Sequence, residues 1–223
     1  MDGMILIDKP TAMTSFGVVA RVRRRLTEEA GKKIKVGHTG TLDPFATGLM
    51  ILMIGKACKQ AQQFSKLDKT YETTIILGKT STTGDPEGEI MQQSHTVPTN
   101  EDINDALKLF VGDIAQTPPA FSAIKINGQR AYKLAREGKD LIMPTRQITI
   151  HSLELISYVY PALTIRTHVS SGTYIRTLAG DIGKALKTGA YCSQLRRTKV
   201  GQWNVENAVS WEDENVTAIK PLP

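Results

Sequence analysis

The sequence predicts an α+β fold, an extended mixed and mostly antiparallel sheet flanked by helices and loops. Helical and strand-like stretches alternate irregularly along the 223 residues. Neighbouring strand segments alternate apolar and polar side chains across short turns, which suits antiparallel pairing. The composition, 40% hydrophobic and 22% charged, is that of a folded chain. One domain over residues 1–223 is expected, with its motifs in residues 4–201 and a tail over 202–223.

Residues 4–7 form a short apolar run that ends at Lys9-Pro10 and reads as a buried strand. Thr14 or Ser15 caps the next helix, which carries Phe16, Val19, Val22 and Leu26 on one stripe. Residues 36–48 form a loop, because the glycines allow conformations closed to other residues and Pro44 forbids a continuing ladder. A buried strand over 49–54, a helix over 56–66 and a strand over 71–77 follow, then a Gly/Thr-rich loop or hairpin over 78–89. Asn100 caps a helix running through Phe110, and a strand over 121–126 is closed by Asn127-Gly128, a strong hairpin signal. A short helix over 129–137 ends at Gly138. Residues 146–158 and 163–169 alternate around Pro161 as an antiparallel pair. A helix over 174–186 turns Leu178, Ile182, Ala185 and Leu186 inward, and a strand over 191–200 carries basic residues.

The longest apolar run, residues 49–54, is well short of the ~20 residues a membrane helix needs. Asp2 stands where a secretion signal would be basic. Two cysteines without CxxC spacing, Cys58 and Cys192, and four scattered histidines point to a reducing, cytoplasmic setting without a structural metal.

The net charge of +6 favours an acidic partner, and its distribution says more than its total. Seven basic residues from Arg21 to Lys35 face only Glu28 and Glu29, and six from Arg176 to Lys199 face only Asp181. The sign reverses after Gln202, where Glu206, Glu212, Asp213 and Glu214 meet Lys220 alone. If folding brings the two basic stretches together, they form a polyanion-binding face; taken singly, each reads equally well as a solvated helix face.

Three segments suit chemistry. Asp43 lies in a glycine-bracketed loop that can hold a carboxylate in one geometry, as nucleophilic and acid–base roles both require, although an Asp before Pro also starts ordinary turns. Arg176 sits in the first turn after Gly172-Thr173, where its guanidinium can present a fork to a carboxylate or phosphate or simply face solvent. Tyr71 follows Lys69-Thr70 at a strand start and can stack on a base or serve the core. No Walker-type phosphate loop occurs.

Together with their neighbours these segments resemble one family, the TruB-type tRNA pseudouridine synthases, which isomerise uridine 55 in the T-loop of transfer RNA. Asp8-Lys9-Pro10 with Thr14-Ser15 is similar to the family's opening motif, and residues 37–48 to its catalytic loop. Leu77-Gly78 with Thr80, Thr82 and Asp85, residues 116–125 with Gly128, Tyr132, Ala135-Arg136 and Gly138, residues 171–176 and residues 195–201 resemble its later motifs in order. Ala12, Ile51 and Cys58 depart from the usual Gly, Pro and Thr.

The resemblance implies the pseudouridine synthase fold, no cofactor, no metal, and tRNA bound through its T-arm by a monomer without an obligate protein partner. It makes Asp43 the catalytic residue, paired with Arg176, and has Tyr71 stack on the target base, with Leu195 as the other wall. Flipping the base out costs a few kcal/mol, and His38 fills or props the space left behind; the plainer reading of His38 is a buried structural histidine. Lys9, Lys59, Lys125, Arg136, Arg196 and Arg197 become candidates for backbone phosphates. With only 22 residues after Gly201, no C-terminal PUA RNA-binding domain is expected. Two rival readings are a non-catalytic RNA-binding module and a glycoside hydrolase. The hydrolase would need a second positioned carboxylate, for which Asp85 is the nearest motif acid.

Overall fold

The structure, a computed structural model, describes residues 1–126 and 128–222. In chain order the elements are β1 (Gly3–Lys9), α1 (Ser15–Ala30), β2 (Val36–His38), β3 (Thr47–Ile54), a 3₁₀ segment (Gly55–Gln60), α2 (Ala61–Ser65) and β4 (Lys69–Leu77). Next come β5 (Lys79–Ser81), β6 (Ile90–Gln92), α3 (Asn100–Lys108), β7 (Gly112–Gln116), β8 (Lys125–Ile126), β9 (Gln129–Arg130) and α4 (Ala131–Arg136). The chain finishes with β10 (Arg146–Val159), β11 (Ala162–Val169), α5 (Ile175–Ala185), β12 (Ala190–Val200), β13 (Trp203–Asn204) and β14 (Val209–Ser210). This is the expected α+β mixture of mainly antiparallel strands. It divides into two compact units, Met1–Tyr71 with Leu195–Pro223 and Glu72–Gln194, and the chain passes between them within β4 and within β12.

In the first unit β3 is the central strand. It pairs antiparallel with β1 from Gly3↔Ile54 to Lys9↔Gly48 and with β2 from Val36↔Ile54 to His38↔Leu52, and parallel with β12 at Arg196↔Thr47 and Arg197↔Gly48. Its residues Leu49 to Ile54 are all buried, as an uninterrupted apolar run in a strand covered on both faces should be. One face packs Met4, Leu6, Leu49, Ile51, Met53, Phe64, Val200 and Val205 into a core, where Phe64 meets Trp203 at a centroid distance of 5.1 Å. Each such side chain contributes about 1.5–3 kcal/mol by leaving water. Gly48 has φ +104°, and a Cβ there would lie 2.3 Å from the Arg197 carbonyl oxygen, so the β3–β12 approach requires glycine.

Helix α1 starts at Thr14, whose hydroxyl accepts from the Gly17 amide at 2.9 Å, and ends at Gly31 in the left-handed conformation. Its buried stripe is Ser15, Val18, Val19, Val22 and Leu26.

 Val19, Val22 and Leu26 are inward as expected, but Phe16 lies off that stripe and is 66% exposed, with Val18 inward instead; Arg23 covers the Phe16 ring at 5.9 Å. The residues expected to be a tail are folded onto this unit. β14 runs parallel to β1, β13 turns back on β12, and Val205 and Val216 are buried. The α1 arginines hold this segment: Arg25 donates to the carbonyls of Trp211 (3.1 Å) and Asp213 (2.7 Å), and Arg21 lies 4.9 Å over the Trp211 ring.

In the second unit β11 lies between β4 and β10, and β10 pairs antiparallel with β11 and with β7. The 78–89 stretch is a hairpin loop, with β5 pairing β6. Four local expectations change. The cap of α3 is Thr99 in a capping box with Asp102, one residue before Asn100, because Thr99 holds the extended conformation a cap needs. The expected helix over 56–66 is a 3₁₀ segment followed by one turn of α2. The expected strand over 121–126 shrinks to β8, and Asn127 of its turn lies outside the described residues. Ala185 is exposed, since the buried face of α5 is Ile175, Arg176, Leu178, Ala179, Ile182 and Gly183.

Candidate active site

Asp43 sits partly exposed in the connection between β2 and β3, and that connection is fixed by side chains from three other segments of its unit. The Ser15 hydroxyl, buried at the start of α1, donates to the Leu42 carbonyl at 2.9 Å and accepts from the Leu42 amide at 2.8 Å. Thr11 donates to the Phe45 carbonyl at 3.1 Å. The Ala46 amide donates to the carbonyl of Asp43 at 3.1 Å, closing the turn into β3. A carboxylate on backbone held this way meets the requirement for a single reactive geometry.

Two residues expected at backbone phosphates serve this loop instead. Lys9 is fully buried at the end of β1, and its ammonium donates to the carbonyls of Pro10 (2.7 Å) and Pro44 (3.2 Å). Arg197 on β12 is 2% exposed; its Nε donates to the Leu49 carbonyl at 2.7 Å and its Nη2 to the Gly40 carbonyl at 3.2 Å. Side chains so enclosed cannot present a charge to a solvent-borne phosphate. A basic residue in a motif gives no sign of which way its strand faces. Arg196, the next residue, points the other way and forms a bidentate pair with Asp8 at 2.7 and 3.0 Å. It stays half-exposed, with its fork directed at that carboxylate.

His38 ends β2, and its Nδ1 is buried without a hydrogen-bond partner. Burial, reinforced by the positive charge of Arg197, pushes the imidazole below its ordinary value and keeps it neutral. Tyr71 on β4 and Leu195 on β12 are both largely buried in the same unit. Lys69, two residues before Tyr71, is also buried and donates to the carbonyls of Ser65 and Leu67 at the end of α2. Desolvation is the largest cause that brings its ammonium down to about 8.

In the second unit Arg176 begins α5 and is buried. Its Nη1 donates to Asp85 Oδ2 at 2.8 Å and to the Thr83 carbonyl at 2.9 Å, and its Nη2 to the Phe121 carbonyl at 2.7 Å. Asp85 is itself buried and accepts on Oδ1 from the Thr83 hydroxyl and the Glu87 amide. The start of α5 is fixed by Gln116, whose Oε1 accepts from the Tyr174 amide at 2.8 Å and whose Nε2 donates to the Tyr174 carbonyl at 3.1 Å. The sequence places Asp85 and Gln116 in motifs, and nothing in it reveals these roles. Lys59, Lys125 and Arg136 are exposed.

The pattern described as "TruB family pseudouridylate synthase (N terminal domain)" matches residues 23–175, and that of "tRNA pseudouridylate synthase B C-terminal domain" matches residues 176–218. The chain is 43% identical over 224 residues to tRNA pseudouridine synthase B of Opitutus terrae, covering 100% of this chain and 89% of that one. It is 45% identical over 214 residues to the protein of the same name from Phocaeicola vulgatus, covering 94% and 90%. Among solved structures, a chain of the "Crystal Structure of a Cbf5-Nop10-Gar1 Complex" superposes with a TM-score of 0.74 at 28% identity, over 98% of this chain and 60% of that one.

Proposed function

Because the chain belongs to the TruB family of pseudouridylate synthases, we propose that it isomerises uridine 55 in the T-loop of tRNA to pseudouridine, with Asp43 as the catalytic residue. The observation that carries the reading is the Asp43 loop, held from Ser15, Thr11, Lys9 and Arg197. The reaction detaches uracil at N1, turns it, and rejoins it to the ribose through C5. Substrate and product have the same atoms, so it calls for no redox partner or group donor.

The target base is flipped out of the loop, at a cost of a few kcal/mol. Tyr71 stacks on it, Leu195 forms the opposite wall, and His38, neutral, takes the place it left. Asp43 acts as a carboxylate whether it attacks C1′ of the ribose, attacks C6 of the base or removes the C2′ proton. Arg176 serves as the supporting arginine of the reaction, and Asp85, Thr83 and Phe121 fix its guanidinium. Lys59, Lys125 and Arg136 meet the tRNA backbone. The protein works as a cytoplasmic monomer on the T-arm; no helix among the described residues is long and apolar enough to cross a membrane.

Joining C5 to carbon expels its hydrogen, so tRNA carrying tritium at uridine C5 reports the reaction directly. The protein is expected to release tritium, and Asp43→Asn to release none. No release by the parent protein would leave only an RNA-binding module.

A further inference from the structure

We propose that Arg197 is a positioning residue for Asp43, clamping the loop before and after it from beneath, and that it does not contact RNA. The inference rests on the isomerase reading of the site and assigns within it a residue that touches neither base nor ribose.

Three observations support it. First, Arg197 reaches both sides of Asp43 along the chain: Gly40 is three residues before and Leu49 six after, and one guanidinium accepts neither flexibility nor exchange in bridging their carbonyls. A planar fork with fixed donor directions suits that task better than an ammonium does. Second, the strand register fixes its origin. Arg197 is opposite Gly48, whose missing Cβ lets the Arg197 backbone approach, so the side chain emerges beneath the loop and cannot slide along it.

Third, Arg197 is 2% exposed, and no carboxylate pairs with its guanidinium among the described residues. Burying a cation without a counter-ion costs several kcal/mol, which stability alone does not justify. Its positive charge is felt by the groups around it, lowering the proton affinity of both His38 and Lys69. A neutral His38 can enter the space vacated by a flipped base without carrying a second charge into it.

The test compares Arg197→Lys and Arg197→Met with the parent protein by single-turnover tritium release, tRNA binding and thermal unfolding. Met keeps the volume and removes charge and fork; Lys keeps the charge and loses the fork. Both are expected to lower the single-turnover rate by ~10–1,000-fold, in line with the cost of misplacing a reacting group, while the tRNA Kd changes less than about 2-fold. By NMR, His38 should titrate at higher pH in the Met variant than in the parent. Weaker tRNA binding at an unchanged rate, or Arg197→Lys with parental activity, would overturn the proposal. So would an unchanged His38 titration in the Met variant, a readout that does not depend on catalysis. Should Met fail to fold, the Lys variant decides by rate against affinity. Absence of release by the parent would instead sink the isomerase reading.

Discussion

Ser15 and Leu42 form a closed pair: one buried hydroxyl donates to the Leu42 carbonyl and accepts from the Leu42 amide, at 2.9 and 2.8 Å. The residue after Leu42 is Asp43, so the hydrogen bonds of α1's first residue fix the approach to the carboxylate proposed to be catalytic. Ser15, which the sequence offers beside Thr14 as a helix cap, lies inside the helix and holds the Asp43 loop.

Removing that hydroxyl leaves two backbone groups unsatisfied in a buried setting. Ser15→Ala is expected to cost about 1–3 kcal/mol in urea unfolding. Its tritium-release rate should fall further than its tRNA affinity, because the lost bonds hold the loop and not the RNA. A variant with parental stability and rate would show that the loop is held well enough by Lys9, Thr11 and Arg197.

Arg176 and Asp85 form a buried ion pair with side chains 5% and 4% exposed. Breaking a buried pair by removing one partner is destabilising, at a cost of about 3–5 kcal/mol. Asp85→Ala is therefore expected to lose that much in stability, and Asp85→Asn, which keeps the shape and one acceptor, less. Denaturant midpoints of the two variants decide this, and equal, near-parental midpoints would contradict it.

His38 carries a pH signature. Its folded-state proton affinity lies below that of an unfolded histidine, near 6.5, so the folded protein binds fewer protons than the unfolded chain in that range. Its contribution to stability is complete above about pH 6.5 and is lost as pH falls through its folded value. His38→Asn should flatten the parent's loss of stability on acidification from neutral pH, measured by urea midpoints. An unchanged pH profile would assign the loss to other groups.

The legible parts of the chain were those governed by local rules. Alternation placed β10 and β11, the uninterrupted apolar run placed β3, and Gly138 ended α4 with φ +70°. Side-chain direction was not legible. Lys9, Arg196 and Arg197 are all basic motif residues, yet one is enclosed under Pro44, one is paired with Asp8 and one is buried under the Asp43 loop. Only the pairing register, set by residues far apart in sequence, distinguishes them. The folding of residues 202–222 onto β1 and β12 was hidden for the same reason: β13 and β14 are two residues each, too short to show a period.

The remaining basic candidates give a salt prediction. Each phosphate contact contributes about 0.7–0.9 to the slope of log affinity against log salt. Lys59→Ala, Lys125→Ala and Arg136→Ala should each reduce the slope for tRNA by about that amount, and Lys9→Met should leave it unchanged because its ammonium is enclosed. A Lys9→Met slope reduced like the others would show that the buried lysine turns outward on binding.

Ala12 provides the last test. It stands before the Thr14 cap with φ +59°, a left-handed conformation that costs a non-glycine residue roughly 1–2 kcal/mol. Glycine adopts that conformation freely but gives the unfolded chain more freedom, returning about 0.4–1 kcal/mol. The balance favours Ala12→Gly by about 0.5–1 kcal/mol, measured as a rise in the urea midpoint without a change in its slope. The same exchange in the opposite direction at Gly48 should be far more damaging. There the new Cβ meets the Arg197 backbone at 2.3 Å, and relief requires β3 and β12 to separate beside the Asp43 loop. Gly48→Ala is expected to lose both stability and tritium release. A tolerated Gly48→Ala would mean that the strand pairing beneath the loop is not what fixes Asp43.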